Sequence, residues 1–157
     1  MRAVLQRVTG ATVHVNGKLI SRIGPGIVAL IGIGTGEPSL HPSSSTGHLF
    51  LTARANVLLR LFLLISLSPA RHSGQLTHLV TVSQFTLHAR LTKGTKPDFH
   101  KSMGGAQAKE LYDELLAKLR TQYVAERVKD GAFGEMMQCS LTNDGPVTIL
   151  VDTDIKK

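Results

Sequence analysis

Residues 2–33 constrain the fold most, because they carry the pattern of successive paired strands. Apolar and polar residues alternate over 11–15, which is the period-two pattern of a half-buried strand. Asn16-Gly17 follows, and a tight hairpin turn requires such residues because both of its central positions adopt positive φ. Residues 19–23 return as the second strand, and the mostly apolar run 27–33 is typical of a strand buried on both faces.

The clearest helix signal lies in the second half of the chain. Apolar residues recur there three and four positions apart, which places them in one stripe along a helix. They are Ala108, Leu111, Tyr112, Leu115 and Leu119. Glu114 precedes Lys118 by the four residues that favour an ion pair on a helix.

The middle third has weaker patterns. Residues 38–47 are rich in Pro, Ser and Gly and are predicted to form a loop, followed by a short helix over 48–57. Residues 58–66 are predicted to be a strand and 68–75 a second loop. Residues 79–87 contain several β-branched side chains and are predicted to be a strand.

The last part of the chain is predicted to contain a turn and two strands. Residues 129–131 have the composition of a turn, and 136–141 and 147–151 that of strands separated by a turn at 143–146. Strands with helices inserted between them favour an α+β fold. The length fits a single domain over residues 1–157.

The composition points to an anionic partner and a reducing compartment. Lys and Arg number 18 against 11 Asp and Glu, a net charge of +7 that favours nucleic acid, although a small basic protein without such a partner has the same balance. Cys139 is the single cysteine, so a disulfide within the chain is impossible. The most apolar run, 58–67, is too short to cross a membrane and contains Arg60. We expect a cytoplasmic protein that does not enter a membrane.

The common catalytic motifs are absent from the sequence. It contains no HExxH, no paired cysteines and no G-x-S-x-G, so neither a metal nor a cofactor is expected. Gly32, Gly34 and Gly36 have the wrong spacing for a dinucleotide-binding loop and favour a bend at a strand end. The apolar surroundings of Cys139 favour a buried structural cysteine over a nucleophile. His100 fits an exposed loop histidine better than a phosphate ligand.

Two segments have compositions suited to a binding site. In Ser83-Gln84-Phe85-Thr86-Leu87, strand alternation places Gln84 and Thr86 on one face, where they would offer a donor and a nucleophile or positioning group. A plain half-buried strand is equally compatible with the segment. The second segment is Asn143-Asp144-Gly145-Pro146-Val147-Thr148, whose composition favours an ordinary turn. A Gly-Pro pair can also hold its backbone carbonyls in a rigid orientation toward a ligand.

SQFTL followed by NDGPVT resembles the D-aminoacyl-tRNA deacylase family, also called D-tyrosyl-tRNA deacylases. Further matches follow in family order: MRAVLQRV at 1–8, GPGI at 24–27, KPDFH at 96–100 and KDGAFG at 129–134. Residues 61–73 depart from the family pattern, being apolar and then rich in Ser, Arg and His.

The resemblance implies an enzyme that hydrolyses the ester joining a D-amino acid, or glycine, to the terminal adenosine of tRNA. It also implies a compact, β-barrel-like α+β domain with two or so helices, which forms a homodimer through its sheet and has its sites at the interface. Two alternatives remain open: a non-catalytic RNA-binding module, and a related deacylase with relaxed chiral selectivity and a trans Gly-Pro bond.

The resemblance also assigns residues. Gly145 and Pro146 resemble a cis Gly-Pro motif that enters the other subunit's pocket, faces the α-amino group and excludes an L side chain. Arg7 resembles the arginine that holds this motif, and Met137 lines the pocket with Phe85 near the terminal adenosine. The full set of expected site residues is Ser83, Gln84, Phe85 and Thr86 for catalysis, and Gly145, Pro146, Asn143, Met137 and Arg7 for substrate binding.

The chemistry at Thr86 has two interpretations. Thr86 occupies the position of a proposed nucleophile, but the sequence identifies no histidine as its base. We therefore favour assistance by the 2′-hydroxyl of the tRNA adenosine, with backbone N–H groups around Phe85 and Thr86 stabilising the oxyanion.

Overall fold

A computed structural model describes residues 1–36, 45–66, 77–91 and 95–153. A 3₁₀ turn at Phe85–His88 follows the fourth strand, and a second one at Ala125–Arg127 precedes the fifth. In chain order the strands and helices of these ranges are β1 (Arg2–Val15), β2 (Lys18–Ile23), β3 (Gly26–Gly32), α1 (Ser45–Ser66), β4 (His78–Ser83), α2 (Gly105–Gln122), β5 (Val128–Asp130) and β6 (Met137–Asp152).

The strands form one sheet that nearly closes on itself. Their order is β2-β1-β3-β4-β5, and β6 pairs antiparallel with β1 from Arg2 to Val15. β3, β4 and β5 are parallel neighbours, whereas β1 is antiparallel to each of its partners. The Ser21 hydroxyl of β2 donates to the Asp130 carbonyl of β5, which joins the two ends of the path. This arrangement confirms the predicted β-barrel-like α+β domain with two helices.

The N-terminal hairpin forms as the sequence predicts. Asn16 and Gly17 have φ of 50° and 78°, the positive values that the turn requires. The strand over 27–33 is also confirmed, because β3 lies between β1 and β4 and is buried along almost its whole length.

Both helices pack apolar faces against the sheet in one core. The stripe predicted on α2 is buried in full, together with Leu116. The described apolar residues that are buried on α1 are Ala55, Leu58 and Phe62, and the Phe62 ring meets Tyr123 edge-to-face with centroids 5.0 Å apart. In the described ranges, neither helix is long and apolar enough to span a membrane.

The strand predicted over 58–66 is wrong, because these residues continue α1. Buried Ala55, Leu58 and Phe62 are three and four residues apart and therefore share one helical face. Exposed apolar residues such as Leu64 hide this periodicity in the sequence. The predicted helix over 48–57 is part of α1, which already begins inside the predicted loop 38–47. The rest of that loop and the whole of the predicted loop 68–75 lie outside the described residues.

Three other boundaries also differ from prediction. β4 ends at Ser83, and the 3₁₀ turn replaces the remainder of the strand predicted over 79–87. The turn predicted at 129–131 is mostly β5, whose pairing with β4 only the tertiary structure supplies. Finally, the strands predicted over 136–141 and 147–151 form the single strand β6, apart from Met136, which precedes it. The expected turn at 143–146 is instead an irregularity in the pairing with β1, and the chain continues in the same direction beyond it.

A buried hydrogen bond connects α2 to the sheet. The Tyr112 hydroxyl donates to the Thr81 hydroxyl at 2.9 Å, and Thr81 is fully enclosed in β4. Burial raises the pKa of the Tyr112 phenol well above its usual range, so the folded protein favours the neutral form. Removing one partner of such a buried hydrogen bond costs free energy, because the other hydroxyl is left buried without a partner.

We predict that Tyr112→Phe lowers the free energy of unfolding by about 1–3 kcal/mol, because the buried Thr81 hydroxyl loses its donor. Urea unfolding at pH 7 measures this. The control is the double variant Tyr112→Phe with Thr81→Val. It should lose less free energy of unfolding than the two single variants lose together. Additive losses would contradict the coupling.

The same pair predicts an alkaline dependence. Because the folded pKa of Tyr112 is raised, its contribution is complete below the usual tyrosine pKa of about 10 and falls as the pH rises above it. The stability difference between the wild type and Tyr112→Phe should therefore shrink above pH 10.

Candidate active site

A cavity of about 550 Å³ opens where β4, the start of α2 and the start of β6 converge. Its floor comes from the end of β3, and its walls from residues 83–85, 102–103 and 133–137 together with Cys139. The cavity therefore combines segments that are distant in the chain. A volume of this size accommodates a small ligand or the end of a larger one.

The 3₁₀ turn that forms one wall is held by three contacts from distant segments. The Gln84 N–H donates to the Ile31 carbonyl of β3 at 2.7 Å. The Ser102 hydroxyl donates to the Phe85 carbonyl at 2.9 Å, and the Arg2 guanidinium donates to the Leu87 carbonyl at 3.0 Å. These contacts fix the backbone of the turn.

A close approach to Gly32 completes the placement of the turn. The buried His88 ring lies beside Gly32, with Nε2 3.2 Å from the Gly32 carbonyl. A Cβ on Gly32 would lie 2.8 Å from the Gln84 carbonyl oxygen and 3.0 Å from the Leu87 Cβ. The glycine is therefore required by the packing of the turn, a role that its spacing to other glycines does not reveal.

The first predicted segment lies at this cavity. Ser83, Gln84 and Phe85 line it, and so does Met137 at the start of β6. Thr86 is exposed next to it, and its hydroxyl accepts a hydrogen bond from the Gln84 amide at 2.5 Å. The predicted strand alternation does not apply here, because the chain leaves β4 and turns, so that both Gln84 and Phe85 face the cavity.

The amino end of the 3₁₀ turn offers two backbone donors. The N–H groups of Leu87 and Ala89 donate within the turn, to the carbonyls of Gln84 and Thr86. Those of Phe85 and Thr86 precede the first bonded position and have no acceptor among the residues that the structure describes. Adjacent N–H groups beside a cavity are suited to an oxygen that carries negative charge.

The second predicted segment is built around Arg7 of β1. Arg7 Nε lies 3.2 Å from the Asp144 carboxylate and donates to the Asp144 carbonyl at 3.3 Å. The Asn143 amide donates to the Arg7 carbonyl at 3.4 Å. The Gly145–Pro146 bond is cis, the form that the family resemblance implies, and Gly145 has a φ of 115°.

The two predicted segments do not meet within one chain. None of Arg7, Asn143, Gly145 and Pro146 lines the cavity. Gly145 follows Met137 by eight residues along β6, a length of strand of about 25 Å at roughly 3.3 Å per residue. One chain therefore presents a cavity in one place and the Gly-Pro segment in another.

The prediction that Cys139 is buried is wrong. It is exposed on β6 and contributes to the cavity wall, because the cavity opens beside this part of the strand. Partial burial still raises the pKa of its thiol, which disfavours the nucleophilic thiolate. In the described ranges, no group of three or more His, Cys, Asp or Glu residues is placed to hold a metal ion.

Comparison with known proteins assigns the family. A sequence profile described as D-Tyr-tRNA(Tyr) deacylase matches residues 4–152. The chain belongs to this deacylase family. It is 42% identical to the D-aminoacyl-tRNA deacylase of Candida glabrata over 98% of its own length and 99% of the relative's. It is 43% identical to the enzyme of the same name from Saccharomyces cerevisiae, with 98% and 99% covered.

Two solved structures share the fold of the chain. The c-Myc DNA Unwinding Element Binding Protein superposes with a TM-score of 0.78 and 37% identity, covering 99% of this deacylase chain and all of the other. A probable eukaryotic D-amino acid tRNA deacylase superposes with a TM-score of 0.76. At 20% identity, with 96% and 97% of the two chains covered, the second match supports the fold alone.

Sequence reasoning missed four residues that position the turn of this deacylase: Arg2, Gly32, His88 and Ser102. Each acts through a contact with a segment far away in the chain, so no local pattern marks it. The glycine cluster that includes Gly32 was the available signal, although it indicates a close backbone approach and not a nucleotide loop.

We predict that Gly32→Ala displaces the turn. The added methyl group meets the Gln84 backbone, which cannot move without changing the cavity wall, so the free energy of unfolding should fall by about 1–3 kcal/mol. Gly24→Ala is the matched control, because a Cβ there meets nothing within 4 Å, and its effect should stay within about 0.5 kcal/mol. Thermal unfolding of both variants measures this, and equal effects would contradict the packing argument.

Proposed function

We propose that this chain is a D-aminoacyl-tRNA deacylase that hydrolyses the ester bond between a D-amino acid, or glycine, and the 3′-terminal adenosine of tRNA. The observation that carries the proposal is the cavity beside the N–H groups of Phe85 and Thr86, which have no acceptor among the described residues. Membership of the deacylase family supplies the class of substrate. A cytoplasmic location is part of this proposal, and the net charge of +7 suits the phosphates of tRNA.

The reaction needs a stabilised oxyanion more than a strong protein base. Water attacks the ester carbonyl carbon, and the carbonyl oxygen becomes negative in the tetrahedral intermediate. The N–H groups of Phe85 and Thr86 donate to that oxygen. The C–O bond to the 3′ oxygen then breaks, and this oxygen takes the proton that the water gives up. The products are free tRNA and the amino acid.

Thr86 serves in this mechanism through its backbone and not as a nucleophile. A serine or threonine nucleophile needs an adjacent base to take its proton. The hydroxyl of Thr86 instead accepts a hydrogen bond from the Gln84 amide, which has no basic lone pair to offer. The 2′-hydroxyl of the terminal adenosine lies next to the ester in the substrate itself and is available to assist proton transfer.

Chiral selectivity requires the Gly145–Pro146 segment of a second copy. The segment does not line the cavity of its own chain, and about 25 Å of β6 separates it from Met137 in the cavity wall. In a homodimer formed through the sheet, it would enter the partner's cavity, face the α-amino group with its carbonyls and leave no room for an L side chain. Selectivity then arises from rejection, so different D side chains are tolerated.

The outer side of β6 is suited to this homodimer. β6 pairs with β1 on one edge and with no other strand among the described residues. Its outward side chains include Leu150, which is 79% exposed, and Met136 just before the strand is also exposed. A long free strand edge with exposed apolar residues is costly to leave in water, and a second copy would cover it.

We predict that the protein hydrolyses D-Tyr-tRNA at least about 100-fold faster than L-Tyr-tRNA, with Gly-tRNA also hydrolysed. Release of the labelled amino acid measures the three rates. Similar rates on the D and L esters would contradict the selectivity. Binding of tRNA without release of any amino acid would indicate the RNA-binding module instead.

We predict that Thr86→Ala keeps turnover within about tenfold of the wild type, because its backbone N–H remains. The matched substrate is D-Tyr-tRNA ending in 2′-deoxyadenosine, on which turnover should fall by about 10² or more because the assisting hydroxyl is absent. Near-complete loss in Thr86→Ala with substrate binding retained would make Thr86 the nucleophile.

A further inference from the structure

Two aromatic rings lie together outside the hydrophobic core, at the edge of the cavity. Phe85 is 57% exposed and Phe99 is 37% exposed, and their centroids are 5.2 Å apart at an interplanar angle of 64°. Phenylalanine is normally buried, so an exposed pair requires an explanation. Phe85 lines the cavity and Phe99 does not, so the pair extends the cavity wall outward.

The position of the second ring is fixed by the backbone. Arg90 and Asp98 exchange two backbone hydrogen bonds of 2.9 Å, which join the segment after the 3₁₀ turn to the segment that carries Phe99. The Ser102 N–H donates to the Phe99 carbonyl at 2.8 Å, while its hydroxyl donates to the Phe85 carbonyl. Ser102 therefore holds both aromatic residues in one arrangement.

The charges around the pair are mostly positive. Arg90, Lys96 and Lys101 are exposed, and none has a carboxylate partner within the described ranges. Asp98 is the only acidic residue in 95–103, and its carboxylate contacts the His100 ring. Exposed cations beside an aromatic surface are the combination that binds single-stranded nucleic acid, with bases stacking on rings and cations contacting phosphates.

We infer that Phe99, with Lys96 and Lys101, forms a second subsite that binds the unpaired nucleotide immediately 5′ of the terminal adenosine. This inference rests on the proposed function, which places the adenosine in the cavity beside Phe85. The preceding nucleotide leaves the cavity where Phe99 lies, and its base stacks on that ring. Stacking on a ring adds affinity without base-specific hydrogen bonds.

The test compares ligands that differ by the nucleotides in question. Phe99→Ala should weaken binding of the trinucleotide CCA about tenfold and leave binding of AMP unchanged, as measured by NMR titration. Kinetically, KM for D-Tyr-tRNA should rise about tenfold with kcat retained, and hydrolysis of D-Tyr-adenosine should not change. Phe99→Tyr should restore binding, because its ring also stacks.

Leu64→Ala is the matched control for loss of an exposed apolar side chain, since Leu64 is 69% exposed on α1. It should change the affinity neither for CCA nor for AMP. Lys96→Ala and Lys101→Ala should each lower the slope of log affinity for tRNA against log salt by about 0.7, while Lys18→Ala in the β1–β2 hairpin should not.

The outcomes separate the subsite from the proposed function. Equal weakening of CCA and AMP, or no weakening of either, would overturn the subsite. Absence of D-ester hydrolysis by the wild type would refute the proposed function, while the binding comparison would still decide whether Phe99 binds the second nucleotide.

Discussion

Strand β1 is the element on which both parts of the candidate site depend. It is paired on both edges, with β6 along one side and with β3 and then β2 along the other. From this strand Arg2 reaches the carbonyl of Leu87 in the 3₁₀ turn, and Arg7 holds the Asp144 backbone next to Gly145. A single strand therefore fixes the cavity wall and the Gly-Pro segment relative to each other.

The site achieves its chemistry with few reactive side chains. Its wall presents backbone N–H groups at Phe85 and Thr86, a hydroxyl that is occupied by Gln84, and apolar residues such as Met137. Cys139 is present, but the raised pKa of its thiol keeps it neutral. An arrangement of this kind favours an activated substrate such as an ester, for which a positioned oxyanion site and a shaped cavity are sufficient.

Local patterns predicted the parts of the fold whose stability is local. The hairpin turn at Asn16-Gly17 and the apolar stripe of α2 follow from backbone conformation and helical spacing, and both are confirmed. The strand predicted over 58–66 failed because apolar residues on an exposed face of α1 masked its period. The sequence predicted two strands in place of β6, because a Gly-Pro pair such as Gly145-Pro146 usually marks a turn. In the structure, pairing with the distant β1 continues on both sides of this pair.

The site residues are positioned by contacts between residues that are far apart in the chain, so local sequence patterns do not predict them. Arg2 and Leu87 are 85 residues apart, and Gly32 and His88 are 56 apart. No spacing rule connects such pairs. The family resemblance pointed to the segments 83–87 and 143–148, and the coordinates place the first at the cavity and the second away from it.

The account is tested most directly by a structure of the protein with a non-hydrolysable amide analogue of D-tyrosyl-adenosine. We predict that the carbonyl oxygen next to the amide lies about 3 Å from the N–H groups of Phe85 and Thr86 of one copy. The α-amino group should face the carbonyls of Gly145 and Pro146 from a second copy. A ligand enclosed by one copy alone, or an α-amino group directed away from the Gly-Pro segment, would contradict the account.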